Sequence, residues 1–581
     1  MSNRKTARRK GTAGSAAEQA RRTPAVTDER DAAPAKPAHA ASAAAVERAA
    51  PARPNLGARV RGAVTGPHGR WLVAAGLIVL VAALARFWNL GLTPFHNDEG
   101  VNGWFTTTLI RSGTWTYDPA NYHGPTLFYA ALVSTTLFGL DEVGMRLVPA
   151  LFGLGALLIV PLTRRWIGGA GALAALLLLA VSPGMVFFSR DVIHEMLLVF
   201  FTLAFVVCMT RWWEDGHAGF LVLGASAAAA MFATKETAVL TFAVLGLAVV
   251  CLKIYERVAP GVLGRPPAWR RSAPSWRPSA PASRRRGRLA PDERFARFGG
   301  RDGLLQAVAG AVLAFLIVWV LLFSSFFTNY PAGVLDSFRS LTIWTQTSGA
   351  TQVSGPLTYL GWMVRDELPI FAFGLAGALF VAWEARSRFA IVTSAWAIGL
   401  FLAYSLIGYK TPWLMLNWVV PFALVGGYAI GRAWEARHAL IHAGAPVVLA
   451  VGLVLSGAQA GLLAFRDYDD DSNAYVYVPT KRDALTLVDW IRSEDTRLGT
   501  GGQIGVVVMS PDYWPLPWYF RDDTKAGFYG AVVDVAAPIQ IVRVDQVPSL
   551  PAGFDGKYER VGQYTLRGGV DLVVYRDRGG G

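Results

Sequence analysis

Over most of this chain, long unbroken apolar stretches alternate with short polar breaks. An amphipathic helix keeps its hydrophobic residues on one stripe and a half-buried strand alternates them, whereas runs of about 20 consecutive apolar residues match the thickness of a bilayer core. Such runs fall near 71–90, 146–163, 168–186, 193–212, 218–234, 237–255, 304–327, 368–384, 388–407, 413–432 and 440–463, and each predicts a spanning helix. A further run, Pro125–Leu140, has only 16 residues and is short for a span. The first run, Trp71–Leu90, is longer than the apolar region of a signal peptide and lacks a cleavage site, so it is read as a retained helix.

Past Ala464 the pattern changes. Residues 466–581 alternate short apolar runs with polar stretches. Ala484–Ile491 reads as an amphipathic helix, and Gln503–Met509, Pro538–Val542 and Val570–Tyr575 read as strands. These roughly 115 residues suffice for a core of their own. The expected fold class is therefore a polytopic α-helical membrane protein of about 11 transmembrane helices plus an interfacial helix, ending in a C-terminal external α/β domain.

Composition sharpens this picture. The 581 residues are 53% hydrophobic and 17% charged, with a net charge of +14. The positive charge is concentrated. Residues 1–70 hold fourteen Lys/Arg against five Asp/Glu, and residues 256–303 hold twelve against four. Both tracts are rich in Pro, Ala and Arg without apolar periodicity, so they read as a disordered basic cytoplasmic tail and a basic cytoplasmic loop rather than as a nucleic-acid face. The two cysteines, Cys208 and Cys251, lie inside apolar runs, which excludes a disulfide framework or a cysteine metal site.

Charge also decides the topology. If 125–140 spans, Arg164-Arg165 and the 256–303 loop fall outside. If it lies in the outer interface, Arg164-Arg165, Arg211, the 256–303 loop, Arg386/Arg388, Arg432/Arg437 and the N-terminal tail all fall inside. The second arrangement satisfies every loop. It gives a multi-pass protein of the cell membrane with a cytoplasmic N-terminus and an external or periplasmic C-terminal domain, and a transmembrane domain over 71–465.

Charged groups near a bilayer are costly and mark function by default. On this topology they gather outside: His96-Asn97-Asp98-Glu99, Tyr122-His123-Gly124-Pro125, Ser189-Arg190-Asp191 with His194-Glu195, Lys235-Glu236, and Lys410-Thr411-Pro412-Trp413. Each has an ordinary reading. Asp98-Glu99 could be a solvated pair or a helix cap, His123 a turn residue, Arg190–Glu195 a structural ion pair, Lys235-Glu236 a helix end, Lys410 an interfacial anchor. Convergence on one side raises the set above those readings. Sugar transfer from a polyprenyl-phosphate donor would use it. The departing phosphate needs cations and hydrogen-bond donors, and the acceptor hydroxyl needs one base. A hydrolase would want an acid and a base flanking the bond. Asp98 fits the base. Arg146, Arg190, Lys235 and Lys410 are candidates for the phosphate, and His123, His194, Glu195 and Glu236 for sugar, acceptor or a divalent metal ion. No spacing dictates a tight metal cage, so a divalent metal ion is left open as the one candidate cofactor.

These residues also carry a resemblance. Asp98-Glu99 after the first span, Tyr122–Tyr129, and Leu137–Gly153 with Arg146 inside it resemble the GT-C superfamily of membrane glycosyltransferases, of the protein O-mannosyltransferase and aminoarabinose lipid A transferase types. Ser189-Arg190 with Glu195, Thr234–Thr237, Lys410–Trp413 and Asp512–Tyr519 are similar to the flippase-associated subfamily of archaeal protein glycosylation. The resemblance spans about 71–530 and implies a polyprenyl-phosphate-sugar donor and inverting transfer to a protein, lipid or cell-envelope glycan. It also implies Asp98 as the catalytic carboxylate with Glu99 beside it, and an activity-linked Arg146. Where the aminoarabinose transferases carry Glu-Lys before the proline, this chain has His123-Gly124, which removes a phosphate-binding lysine. The alternative is a lipid-linked sugar flippase or flippase-assisting protein, which would show broken helices and paired repeats. No Gly/Pro-interrupted pair of spans stands out in the sequence.

Overall fold

The computed structural model describes residues 65–120, 123–258, 295–347, 354–384 and 386–579. The N-terminal tail and most of the basic loop predicted at 256–303 lie outside them, as does Tyr122. The first part is helical: α1 (Pro67–Phe87), α2 (Asn97–Ser112), α3 (Thr126–Phe138), α4 (Glu142–Ile159), α5 (Gly169–Val181), α6 (Pro183–Phe187), α7 (Glu195–Asp215), α8 (Ala218–Phe232), α9 (Ala238–Val258), α10 (Gly300–Phe323), α11 (Ala332–Thr347), α12 (Thr358–Asp366), α13 (Leu368–Glu384), α14 (Arg388–Leu406), α15 (Leu416–Trp434) and α16 (Ala439–Phe465).

All eleven predicted apolar runs are helical. Eight form helices long and apolar enough to cross a membrane. Two are bent pairs: α5 with α6 turns by 63°, and α12 with α13 by 111°. The eleventh, α8, has 15 residues and rises only about 22 Å, short of a straight crossing. The protein is a multi-pass membrane protein. The α5–α6 bend departs from the sequence reading, which saw one continuous run over 168–186; the other bend lies just before the predicted run 368–384, and α12 was not read as a helix. Ser182 and Glu367 occupy the breaks, and each is followed within two residues by a proline, Pro183 or Pro369, that cannot continue the hydrogen-bond ladder. One side chain joins the breaks. Glu367 Oε1 accepts from Ser182 Oγ at 2.7 Å, from the Gly184 amide at 2.8 Å and from the Tyr475 hydroxyl at 3.2 Å.

The bundle is organised around α15, whose span is buried over 94% of its apolar window. With no water to expel between helices inside a bilayer, close contact has to come from small residues. Gly171 of α5 and Gly427 of α15 meet backbone to backbone, and a Cβ at Gly427 would lie 2.5 Å from the Gly171 carbonyl oxygen.

The C-terminal segment forms α17 (Asp483–Leu498) and a five-stranded mixed sheet of order β2-β1-β3-β5-β4. The strands are β1 (Val506–Met509), β2 (Gly527–Tyr529), β3 (Ile539–Arg543), β4 (Tyr558–Arg567) and β5 (Val570–Asp577). β1 pairs in parallel with β2 and β3, while β5 runs antiparallel to β3 and β4. The predicted helix and three strands are present. β2 and β4 were missed: β2 is only three residues long, and β4 mixes exposed and buried positions without strict alternation. Residues from both parts share one apolar cluster, including Phe95, Leu127 and Met145 with Val506, Trp518 and Leu572.

Candidate functional site

Several helix ends converge on one pocket. The α1–α2 connection, the start of α2, α4, the α6–α7 connection, Trp413 before α15 and the strand-free stretch 468–480 enclose about 550 Å³ of empty space, counting its mouth. Its wall carries five acidic or basic side chains, His96, Glu99, Arg146, Arg190 and Asp191.

Arg146 anchors this wall. Its Nε and Nη2 bind the two oxygens of Glu99 at 2.7 and 2.5 Å. The remaining donors reach the carbonyls of Leu90 (2.9 Å), Thr93 (2.8 Å) and Pro94 (3.1 Å). Glu99 also accepts from the His96 amide at 3.2 Å, closing the first turn of α2, and from the Val192 amide at 3.0 Å. One fork-to-fork pair thus fixes three chain segments, a geometry that only a guanidinium supplies. Burial opposes the Glu99 charge, but Arg146 and then His96 outweigh it and hold the carboxyl well below its usual range.

Arg190 caps the end of α1. Its Nη1 donates to Trp88 O at 2.6 Å and its Nη2 to Asn89 O at 2.9 Å, with the guanidinium 4.6 Å over the Phe465 ring. His96 Nδ1 stands 3.0 Å from Asp191 Oδ1. Burial pushes the Asp191 carboxyl up to about 6, partly offset by His96. The imidazole of His96 is held charged well above its usual range, because Asp191 and Glu99 outweigh its burial.

Of the sequence candidates, the pocket brings together Glu99, Arg146 and Arg190. Asp98 is not in its lining. It is half-buried on the neighbouring side of α2, where its Oδ1 accepts from Asn97 Nδ2 at 3.0 Å. Arg567 of β4 reaches the same place, 3.3 Å from Asn97 Oδ1 and bonded to the Trp514 carbonyl.

His123, His194, Glu195, Lys235 and Glu236 form a second, buried group. Gly124 and Thr126 dock on the α8–α9 connection, their amides donating to Thr234 O and Ala233 O at 3.1 Å each. This brings His123 Nδ1 within 3.0 Å of Glu236 Oε2 and its ring 4.8 Å from that of His194. Lys235 is ion-paired with Glu195. Lys410 is held by backbone carbonyls. Its ammonium donates to Tyr404 O, Ser405 O and Ile407 O at 3.1, 2.9 and 2.7 Å, closing the end of α14.

His96 and Asp191 were quoted in the sequence motifs but not selected. Their signal was adjacency to Asp98-Glu99 and Arg190. With Glu99 they form the one group among the described residues whose donor atoms lie within 4.8 Å of one another, as metal ligands would. A divalent ion fits them poorly. Both oxygens of Glu99 are taken by Arg146, whose charge would repel the ion.

The model of the dolichyl-phosphate-mannose-protein mannosyltransferase family matches residues 122–259, from the approach to α3 to the end of α9. No curated protein matches the sequence. Among solved structures, the ArnT of Cupriavidus metallidurans bound to undecaprenyl phosphate superimposes with a TM-score of 0.56 at 16% identity, over 87% of this chain and 98% of that one. This is the GT-C fold. The apo form of the same ArnT gives 0.53 at 17% identity, over 88% and 98%. An Archaeoglobus fulgidus oligosaccharyltransferase tethered to an acceptor peptide aligns at 16% identity and a TM-score of 0.47, over 80% of this chain and 64% of that one. In GT-C terms, the pocket lies where the loops that follow α1 and α6 meet the segment leading into the sheet.

Proposed function

We propose that the protein is a glycosyltransferase that moves a sugar from a polyprenyl-phosphate-linked donor to a protein, lipid or glycan acceptor at the outer face of the membrane. The observation that carries this reading is the pocket itself: a charged and aromatic cavity at the meeting of several helix ends, in a fold whose aligned neighbour was solved with undecaprenyl phosphate. Asp98 is the proposed base, removing the acceptor proton while the sugar C1 is attacked in line. Glu99, tied to Arg146, positions the start of α2 and does not act as a base itself. Arg146, Arg190, Lys235 and Lys410 all hold protein partners, so phosphate binding draws on their charge rather than on unused donors, except where a side chain swings free. Exposed Arg482 joins this list, its Nη1 3.3 Å from the hydroxyl of Tyr468 in the pocket wall.

One observation favours a second reading. Two bent helix pairs whose breaks touch through Glu367 are the kind of element that lets a transporter rearrange. A flippase or flippase-assisting role would use them. Substitution separates the two. Asp98→Asn protein of normal thermal stability should lose at least about 100-fold of its sugar transfer from a lipid-linked donor, the usual scale of a missing general base. Near-native transfer by this variant would remove Asp98 from the role.

A further inference from the structure

One cation of the C-terminal sheet ends beside Asp98. Arg567 is the last residue of β4 and pairs with Val570 across the turn Gly568-Gly569. The register with β5 shifts between Thr565 and Arg567, and such a bulge re-aims the side chain that follows it. Gly569 has φ +74, a left-handed value that favours glycine, so the turn stays tight and β4 delivers Arg567 to the start of α2. The sheet is docked there without slack: a Cβ at Gly100 would lie 2.4 Å from Pro515 Cβ. Arg567 Nη1 donates to Asn97 Oδ1 at 3.3 Å, and Asn97 Nδ2 donates to Asp98 Oδ1 at 3.0 Å. A guanidinium only donates and a carboxylate only accepts, so the two charged partners fix which way the Asn97 amide faces.

The arginine is costly where it sits. It is 7% exposed, its Nη2 is bonded to the Trp514 carbonyl, and its Nε has no partner among the described residues. Burial draws the guanidinium down from its ordinary range, opposed by the carboxylates of Asp512 and Asp98. Asp512 already accepts from Arg543 Nη1 at 2.5 Å. Asp98 has no ion pair among the described residues, and its carboxylate is the charge left to answer Arg567. A buried guanidinium with an idle donor weakens a fold. Arg146, which ties three segments together, engages all three of its nitrogens. Stability alone therefore explains Arg146 and does not explain Arg567.

We propose that Arg567 is a positioning residue for the reaction: it holds the Asn97 amide and through it aims the Asp98 carboxylate at the acceptor hydroxyl. The inference rests on the reading of Asp98 as the base. A base acts only within hydrogen-bond reach of the proton it removes, so a misplacement of about 1 Å slows the chemical step far more than it weakens substrate binding. The external sheet is then part of the catalytic device, because a residue of β4 sets the geometry of a residue of α2. A sheet that merely covers the site would show no such dependence.

The full-length protein in nanodiscs would be assayed for mannose transfer from undecaprenyl-phosphate mannose to a cell-envelope extract. Carbodiimide labelling of carboxylates, read by mass spectrometry, would be run on the same samples. Arg567→Ala should lower kcat at least about tenfold and leave KM for the donor within about twofold. Arg567→Lys, which keeps the charge without the fork, should recover little of that loss. Asn97→Ala leaves the Trp514 contact in place and should match Arg567→Ala. The double variant should be no slower than either, because both changes cut one bridge. Asp98 should label about two- to tenfold faster in both single variants, the scale of one released hydrogen bond, while Glu99 stays as protected as in the wild type. Unchanged Asp98 labelling in both variants, or losses that multiply in the double variant, would overturn the proposal. Full transfer by Asp98→Asn would remove the base itself, whereas full transfer by Arg567→Ala beside an inactive Asp98→Asn would remove only the positioning role.

Discussion

Arg146 is the residue on which the pocket wall depends, because its five N–H groups meet both oxygens of Glu99 and three carbonyls. Lysine keeps the charge but not the fork. Arg146→Lys should therefore lower the unfolding free energy by roughly 1–3 kcal/mol, the usual cost of leaving buried acceptors without their donors, measured by thermal denaturation in detergent. An unchanged melting temperature would contradict the anchor role. The pH dependence has a definite sign. Glu99 titrates at about 2 in the folded protein instead of 4.5, so its charge contributes stability above pH 4.5 that is lost as the pH falls towards 2. The stability gap between wild type and Glu99→Gln should accordingly be full at pH 7 and shrink below pH 4.5. At this scale much was legible. Asp98-Glu99, Arg146 and Arg190 can be picked from the sequence because charged side chains flanking apolar runs are rare and costly. The direction in which each side chain points is not legible. Adjacent residues on α2 diverge, Glu99 into the pocket and Asp98 out of its lining, and that divergence is a matter of helical phase fixed by docking.

The two bent pairs are the feature that an element-level reading most needs. Glu367 holds both breaks through Ser182, Gly184 and Tyr475, and Tyr475 is itself part of the pocket wall. Glu367→Ala leaves three donors without their acceptor and should destabilise by roughly 2–4 kcal/mol, whereas Glu367→Gln keeps an acceptor oxygen and should cost less than half as much. Gly184→Ala should behave like Glu367→Ala, since its Cβ would lie 2.9 Å from the Tyr475 hydroxyl and 3.0 Å from Glu367 Oε1. Differential scanning fluorimetry of the three variants checks the order; equal melting temperatures would rule out the clasp. The apolar runs located the helices well because a spanning run has one reading. They hid the first bend because Pro183 sits inside a stretch whose hydropathy never drops, whereas Arg365-Asp366-Glu367 ended the apolar pattern at the second and left α12 unread. The short α3 was set apart from the spans by its short run together with the Arg/Lys bias of the flanking loops.

At the scale of the whole molecule, the sheet and the bundle act as one body where they meet. The Trp518 ring stacks on Phe95 at 4.8 Å over Gly103, and the Phe95 amide donates to the Tyr519 hydroxyl at 2.9 Å. Trp518→Ala should cost roughly 3–5 kcal/mol and raise hydrogen exchange in residues 95–103 together with the sheet. Exchange confined to the sheet would mean that the contact does not couple them. The alternation after Ala464 announced an α/β unit, yet nothing in the pattern said that Asp512–Tyr519, rich in aromatics, would be the surface that seats it on α2. Packing partners distant in sequence leave no local periodicity. The central claim is that this GT-C fold transfers sugar rather than moving lipid. Its most direct test reconstitutes the full-length protein in sealed proteoliposomes with a doubly labelled undecaprenyl-phosphate sugar, following sugar release and lipid translocation in the same sample. The account predicts release that depends on an added acceptor and on Asp98, with no protein-dependent translocation. Translocation without release, insensitive to Asp98→Asn, would contradict it and assign the bent helices to transport.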